Sequence, residues 1–248
     1  MSDPSSKIIL VTGANDGLGF EIAKQLAEKG HKVYVGARRE EAGKEAASRL
    51  TENGLDAHYI RIDVTDPESV IAAKEMIEKE NNRLDVLVNN AGILCTFANP
   101  SEGDYKEYRR VMDTNLFGVI SVTTTFMPLI KKAKPGYGAI VNVTSGLGSN
   151  HHNATDEEGR KYLMANAYSV SKAALNAYTI GLANELRDQK IRVNCICPGI
   201  VKTKFNGYMK EGRSPEDAAK YILPWALLGP EDDDKTCKFY VSGKVRAW

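Results

Sequence analysis

The sequence predicts an α/β protein, a doubly wound parallel sheet with helices on both faces. Three observations carry that expectation. Short runs of strand length alternate with longer segments of helical periodicity along the whole chain. The short runs, such as residues 7–12 (KIILVT) and 138–143 (GAIVNV), are apolar at nearly every position, the pattern of strands covered on both faces. The first run passes into a glycine-rich turn and then a helix, the arrangement that sets a pyrophosphate on a helix N-terminus.

In chain order, residues 7–12 form the first strand. Gly13, Asn15, Gly17, Leu18 and Gly19 lie in the turn, with spacing G-x-x-x-G-x-G, and residues 20–29 form a helix. Residues 31–36 are the second strand, followed at once by Ala37, Arg38 and Arg39. In a dinucleotide fold, an acid about 20 residues past the glycine turn holds the ribose 2′-OH, whereas an arginine there suits a 2′-phosphate. Ala37 is no acid and two arginines follow it, which argues for NADP(H) over NAD(H). Asp16 in the turn weighs against a phosphate nearby, and Arg39 also fits a solvated first-turn residue of the next helix.

A helix over 40–50, a strand over 57–62 and a turn at Asp63-Val64-Thr65-Asp66-Pro67 come next, opening a helix to about residue 79. Residues 84–88 are a fourth strand, followed by Asn89-Asn90-Ala91-Gly92. Helices over 105–113 and 116–133 flank Thr114-Asn115, and a fifth strand, 138–143, ends at Thr144-Ser145-Gly146. A helix over 165–186, a strand over 191–196 ending at Pro198-Gly199, and a last strand over 238–241 complete the chain. Residues 231–235 (EDDDK) are a charged surface loop. With no linker, repeat or low-complexity tract, the 248 residues read as one domain, 1–248.

The helix over 165–186 carries the chemistry. Tyr168 and Lys172 lie four residues apart, so a helix presents both on one face. A tyrosine can give its proton to a developing alkoxide, and a neighbouring ammonium lowers its pKa toward neutrality. Tyr and Lys at this spacing also occur on exposed helices, so the pair needs its context.

Composition narrows the function classes. A formal net charge of +1, from 33 basic and 32 acidic residues, points to neither nucleic acid nor an anionic membrane. No run approaches the roughly 20 apolar residues of a membrane span, and the start shows no secretory signal. Cys95, Cys195, Cys197 and Cys237 lack the count and spacing of a disulfide framework, which points to the reducing cytoplasm. Cys195 and Cys197 read as core, and His151-His152 lacks partners at metal-ligand spacing, so no metal is expected.

The motifs, taken together, resemble the short-chain dehydrogenase/reductase family, single-domain Rossmann type, over essentially the whole chain. They run in order: Thr12-Gly13-x-x-x-Gly17-Leu18-Gly19, Asp63, Asn89-Asn90-Ala91-Gly92, Asn115, Ser145, Tyr168-x-x-x-Lys172, and Pro198-Gly199 followed by Thr203. The resemblance implies a catalytic tetrad. Tyr168 would be the general acid in reduction, and Lys172 would lower its pKa and bond the nicotinamide ribose beside it. Ser145 would hold the substrate oxygen, and Asn115 a water in a proton relay, or else it braces its helix kink. It further implies cofactor contacts from the glycine turn, from Asp63 and Val64 near the adenine, and from Asn90, Ala91 and Gly92 beside its ribose. Val201 and Thr203 would cap the carboxamide and phosphates. Asn89 would stitch neighbouring strands.

Residues 167–178 (AYSVSKAALNAY) and the tail 238–248 (KFYVSGKVRAW) resemble the carbonyl-reductase-like branch. Ser145 and Tyr168 stand 23 positions apart, farther than in the plain family pattern. The extra segment, about 150–162, is polar and reads as a loop with a helical turn near the substrate entrance, or as a neutral insertion. It leaves both monomer and homodimer open. Residues 204–213 would form a lid, with Phe205, Tyr208 and Met209 facing the substrate and Ile93 and Leu94 lining the same pocket. The expected activity is NADPH-dependent reduction of a moderately apolar ketone or aldehyde. The alternatives are an NAD-dependent alcohol or hydroxysteroid-type dehydrogenase and a non-catalytic dinucleotide sensor, the latter predicting a damaged tetrad.

Overall fold

A computed structural model describes residues 6–157, 161–162 and 164–248. Among these residues one sheet is formed in the order β3-β2-β1-β4-β5-β6-β7-β8. Its strands are β1 (Ile8–Thr12), β2 (Lys32–Ala37), β3 (Ala57–Arg61), β4 (Val86–Asn89), β5 (Ala139–Val143), β6 (Arg192–Cys197), β7 (Phe239–Val241) and β8 (Lys244–Val245). All pairs are parallel except β7 with β8. That last hairpin lies outside the expected pattern. Its signal is Ser242-Gly243: both residues take positive φ (49° and 82°), as a tight hairpin turn between twisted strands demands.

The continuous apolar strands serve two cores. Ile9 and Val11 of β1 face one side, with α1 (Gly17–Glu28), α2 (Glu40–Thr51) and the short α8 (Pro215–Ala219) and α9 (Leu223–Ala226). Ile8 and Leu10 face the other, against α3 (Pro67–Asn81), α5 (Gly118–Ile130) and α7 (Asn166–Glu185). Each fully buried aliphatic side chain contributes about 1.5–3 kcal/mol, so these two layers supply most of the driving force. The helices start where the sequence supplies caps. Asp66 accepts the Glu68 amide at 3.1 Å with Pro67 at the first position of α3, and Asp104 caps α4 (Tyr105–Met112) through the Lys106 amide at 2.9 Å.

Two elements depart from expectation, while the segment about 150–162 holds a helical turn of the kind expected. The break expected at Thr114-Asn115 is not an interruption: Asp113–Phe117 is a wider π turn joining α4 to α5 without a gap. The segment about 150–162 opens with α6 (Asn150–Thr155), capped by Ser149, while residues 158–160 and 163 lie outside the described residues. The α8 and α9 turns had no periodic signal long enough to read. Strand order reverses between β1 and β4, so the crevice at their C-terminal ends is where such a sheet binds ligands. Among the described residues no helix is long and apolar enough to cross a membrane.

Candidate active site

Helix α7 is fixed to the strand ends by a row of buried polar side chains. Asn89 of β4 donates to Asn142 of β5 at 2.9 Å and to Thr123 of α5 at 3.1 Å. Asn142 donates onward to Thr179 of α7 at 2.8 Å. Thr144 donates to Asn176 at 2.8 Å, and Asn176 donates to the Gly148 carbonyl at 3.0 Å. Asn89 thus stitches strands as expected, and the same network clamps the helix. Gly148 permits the close approach, since a Cβ there would come within 2.9 Å of the Lys172 carbonyl group. Satisfied polar groups in a dry interior define one register, which sets where Tyr168 and Lys172 stand.

Lys172 is 5 % exposed, and its Nζ donates to the Val143 carbonyl at 2.9 Å. Burial lowers its pKa from 10.5 to about 8. The Nζ lies 5.7 Å from the centre of the Tyr168 ring. Tyr168 departs from expectation. Burial, helped by nearby Cys197, pushes its hydroxyl above the usual tyrosine value, while a hydrogen bond with Ser145 pulls the other way. The ammonium is committed to Val143, and desolvation wins. The result is a protonated phenol beside Ser145, the state a proton donor needs.

Asn115 is wholly buried beneath the cleft. Its Oδ1 accepts the Ile93 amide at 2.8 Å, and its Nδ2 donates to the Ile93 carbonyl at 2.9 Å and to Ser171 Oγ at 3.1 Å. The side chain projects from the π turn, and its bonds to Ile93 brace the chain after β4, a tie that neither expected role named. Cys197 also does more than fill core. Its sulfur accepts the Gly146 amide at 3.2 Å and the Gly199 amide at 3.4 Å, tying together the turns that follow β5 and β6.

These residues border a cleft of about 1290 Å³. One half is walled by Gly13, Asn15, Gly17, Leu18 and Gly19, with Arg38, Asp63 and Val64 beside them and Asn90, Ala91 and Gly92 across. A Cβ on Gly19 would meet Gly13 O at 2.3 Å and Asn90 Nδ2 at 2.4 Å, so the cradle demands glycine. Asn90 donates to the Thr12 and Gly13 carbonyls at 2.9 and 3.1 Å, holding the turn shut from behind. Burial works to raise the Asp63 carboxyl, but hydrogen bonds from Thr65 and the charges of Arg38 and Arg61 outweigh it and hold it below its ordinary value. Asp16 turns back to cap α1 through the Gly17 amide at 2.7 Å. These donors and the Arg38 guanidinium fit a 2′-phosphorylated dinucleotide. Both arginines are exposed, but only Arg38 lines the cleft; Arg39 stands at the N-cap of α2 and does not.

Ser145, Tyr168, Ile93, Leu94, Phe205 and Met209 line the other half, with Val201 and Thr203 at the junction. Phe205 packs edge-on to Tyr168 at 5.9 Å between ring centres. Tyr208, expected in the pocket, is instead 56 % exposed and is not among the residues lining the cleft. The inserted segment, read above as near the substrate entrance, lines the cleft, and so does the C-terminal tail, for which no such place was expected. Leu147 and, from the inserted segment, His151, His152 and Tyr162 line the cleft together with Arg213, Lys244, Arg246 and Ala247. The insertion and the tail hold each other. Ser149 Oγ donates to the Ala247 carbonyl at 2.7 Å, Arg246 Nη1 lies 2.8 Å from His152 Nδ1, and His152 pairs closely with Asp156. Trp248 stacks on Phe239 at 5.6 Å and anchors the tail. No periodicity signals such a long-range contact; the polar insertion and the aromatic tail were the only hints.

Comparison with known proteins agrees with this geometry. Residues 7–214 match the model of the short chain dehydrogenase family. The short-chain dehydrogenase anuI of Penicillium roqueforti is 37 % identical over 233 residues, covering 92 % of each chain. Carbonyl reductase (NADPH) 1 of Mus musculus is 32 % identical, covering 98 % of this chain and 99 % of its own. Among solved structures, the NADPH-bound carbonyl reductase from chicken fatty liver superposes with a TM-score of 0.85 at 27 % identity, covering 98 % of this chain and 99 % of that one. By motif order, strand order and sequence, the chain belongs to the short-chain dehydrogenase/reductase family, a family of oxidoreductases.

Proposed function

We propose that the protein is an NADPH-dependent carbonyl reductase that converts a ketone or aldehyde to an alcohol. The observation that carries this reading is the meeting, in one cleft, of Tyr168 beside Ser145 with a glycine cradle that ends at Arg38. NADPH, when bound, supplies the hydride. The glycine turn, Asp63, Val64 and residues 90–92 would hold it, with Arg38 on its 2′-phosphate and Val201 and Thr203 on the carboxamide and phosphates. Ser145 would orient the carbonyl oxygen and stabilise charge developing there. Tyr168 would deliver the proton to that oxygen, and Lys172 would contact the ribose beside Tyr168. Asn115 keeps Ile93 and the chain after β4 in place. Ile93, Leu94, Phe205 and Met209 give the substrate half an apolar surface suited to a moderately apolar carbonyl compound. The four free cysteines accord with a reducing, cytoplasmic setting.

The test is oxidation of NADPH and of NADH, followed in parallel across aldehydes, aromatic ketones, diketones, quinones and cyclic ketones. Turnover with NADPH and little with NADH is the expected result. Preference for NADH would instead favour the NAD-dependent dehydrogenase. Tight cofactor binding without any turnover would favour the non-catalytic sensor. Arg38→Ala should lower the preference for NADPH over NADH by roughly 10- to 100-fold, the loss of a charge-assisted phosphate contact. Equal losses for both cofactors would remove the 2′-phosphate from Arg38.

A further inference from the structure

Arg213 is a cleft-lining cation that neither the catalytic group nor the dinucleotide half uses. Its backbone closes the base of the lid: the amide donates to the Ile200 carbonyl at 3.0 Å, and the carbonyl accepts the Lys202 amide at 2.9 Å. Its side chain is held in place separately. The guanidinium lies 4.5 Å from the centre of the Tyr221 ring, and Nη2 donates to Ser242 Oγ at 3.3 Å. Stacking and one hydrogen bond fix the fork while leaving most of its five donors unspent.

No carboxylate forms an ion pair with Arg213 among the described residues. Asp217, which feels its charge, is bonded to Lys220 and Ser214 instead. The surroundings are cationic as well. Lys204, Lys244 and Arg246 line the same cleft, as does Glu211 two residues before Arg213, and Arg246 is already met by Asp156 at 3.7 Å. A half-buried, immobilised and unpaired guanidinium in a cationic mouth is an anion site waiting for its partner.

Its position relative to Ser145 gives the ligand a size. A Cβ on Gly199 would come 3.3 Å from Arg213 Nη2 and 2.8 Å from Ser242 Oγ, so both groups sit against the end of β6. Ser145 follows β5, the neighbouring strand, and Ser242 follows β7. One to two strand spacings, roughly 5–10 Å, therefore separate the carbonyl-orienting serine from the guanidinium. That is about the breadth of an aromatic ring.

We propose that Arg213 anchors a carboxylate of the substrate, so that the enzyme favours formyl or keto acids with an apolar body over their neutral counterparts. The inference rests on the carbonyl-reductase reading. It is tested with a matched pair, 4-formylbenzoate and methyl 4-formylbenzoate, by comparing kcat/KM for wild type, Arg213→Met and Arg213→Lys. Wild type should prefer the acid. Arg213→Met should lower the acid-to-ester ratio by roughly 10- to 100-fold, the range of hydrogen bonds to charged groups, and chiefly through KM for the acid. Arg213→Lys should restore part of it.

An unmoved ratio overturns the anchor, even where both rates fall together, because support of the lid would affect acid and ester alike. That result leaves the reductase reading intact. Calorimetric binding of 4-formylbenzoate to the NADPH complex gives a readout apart from turnover. A Kd that does not weaken in Arg213→Met also overturns the anchor. Absence of turnover with every carbonyl compound, while binding still depends on Arg213, would instead contradict the reductase reading and keep the anion site.

Discussion

Lys7 and Lys172 are buried to similar depth, 3 % and 5 % exposed, and burial drops the pKa of each from 10.5 to about 8. They stand at opposite ends of the sheet. Lys7, just before β1, spends its ammonium on the Ala226 and Leu228 carbonyls, and the charge of Arg192 lowers it further. Lys172 bonds one carbonyl, that of Val143, and borders the cleft beside Tyr168. A depressed lysine pKa follows from desolvation wherever a fold buries an amine. Function comes from where the amine is placed: at the C-terminal strand ends, against a cleft, next to a second titratable group.

Substitution of each lysine by methionine should separate the two roles. Lys172→Met should lower kcat by roughly 10²- to 10⁴-fold, the range of acid–base assistance, in steady-state assays normalised to folded protein. Lys7→Met should leave turnover per folded molecule unchanged. A comparable loss of turnover in Lys7→Met would break the comparison.

Stability should run in the opposite sense. Lys7→Met strands two buried carbonyls and should cost about 1–3 kcal/mol by urea denaturation. The pH dependence sharpens the contrast. Between about 8 and 10.5 the unfolded chain holds protons on these lysines that the folded chain has released. Stability should therefore rise with pH across that window and level off at a lower value below it, where folded and unfolded chains alike hold the protons. Lys7→Met should flatten part of that rise. An unchanged slope would mean that Lys7 titrates normally.

The smallest effect should come from the tail. Arg246 is one-third exposed where it meets Asp156, so Arg246→Ala should cost under about 1 kcal/mol. It should nevertheless change the ranking of carbonyl substrates, since it loosens the wall shared with His152, while KM for NADPH stays fixed. An unchanged ranking would remove the tail from the pocket.

The same contrast explains what the sequence disclosed. The glycine turn, the strand ends at Asn90, Ser145 and Gly199, and the Tyr168/Lys172 spacing are local patterns, and local patterns survive in a linear reading. Arg39 and Tyr208 illustrate the limit. One residue decides whether a side chain after a strand end lines the crevice, and spacing does not say which side chains of a lid enter the pocket. Arg213, His152 and Arg246 were out of reach for another reason. Their partners, Ser242, Asp156 and the inserted helix, are distant in sequence, and no periodicity predicts which loops meet. The direction of the Tyr168 shift also needed coordinates, because it depends on whether burial outweighs a nearby charge.

In the proposed mechanism Tyr168 is the proton donor of a cleft that binds NADPH. The most direct measurement is of NADPH affinity and carbonyl turnover side by side in Tyr168→Phe. Affinity should be retained while turnover falls by roughly 10²- to 10⁴-fold. Turnover at the wild-type rate in that variant would contradict it.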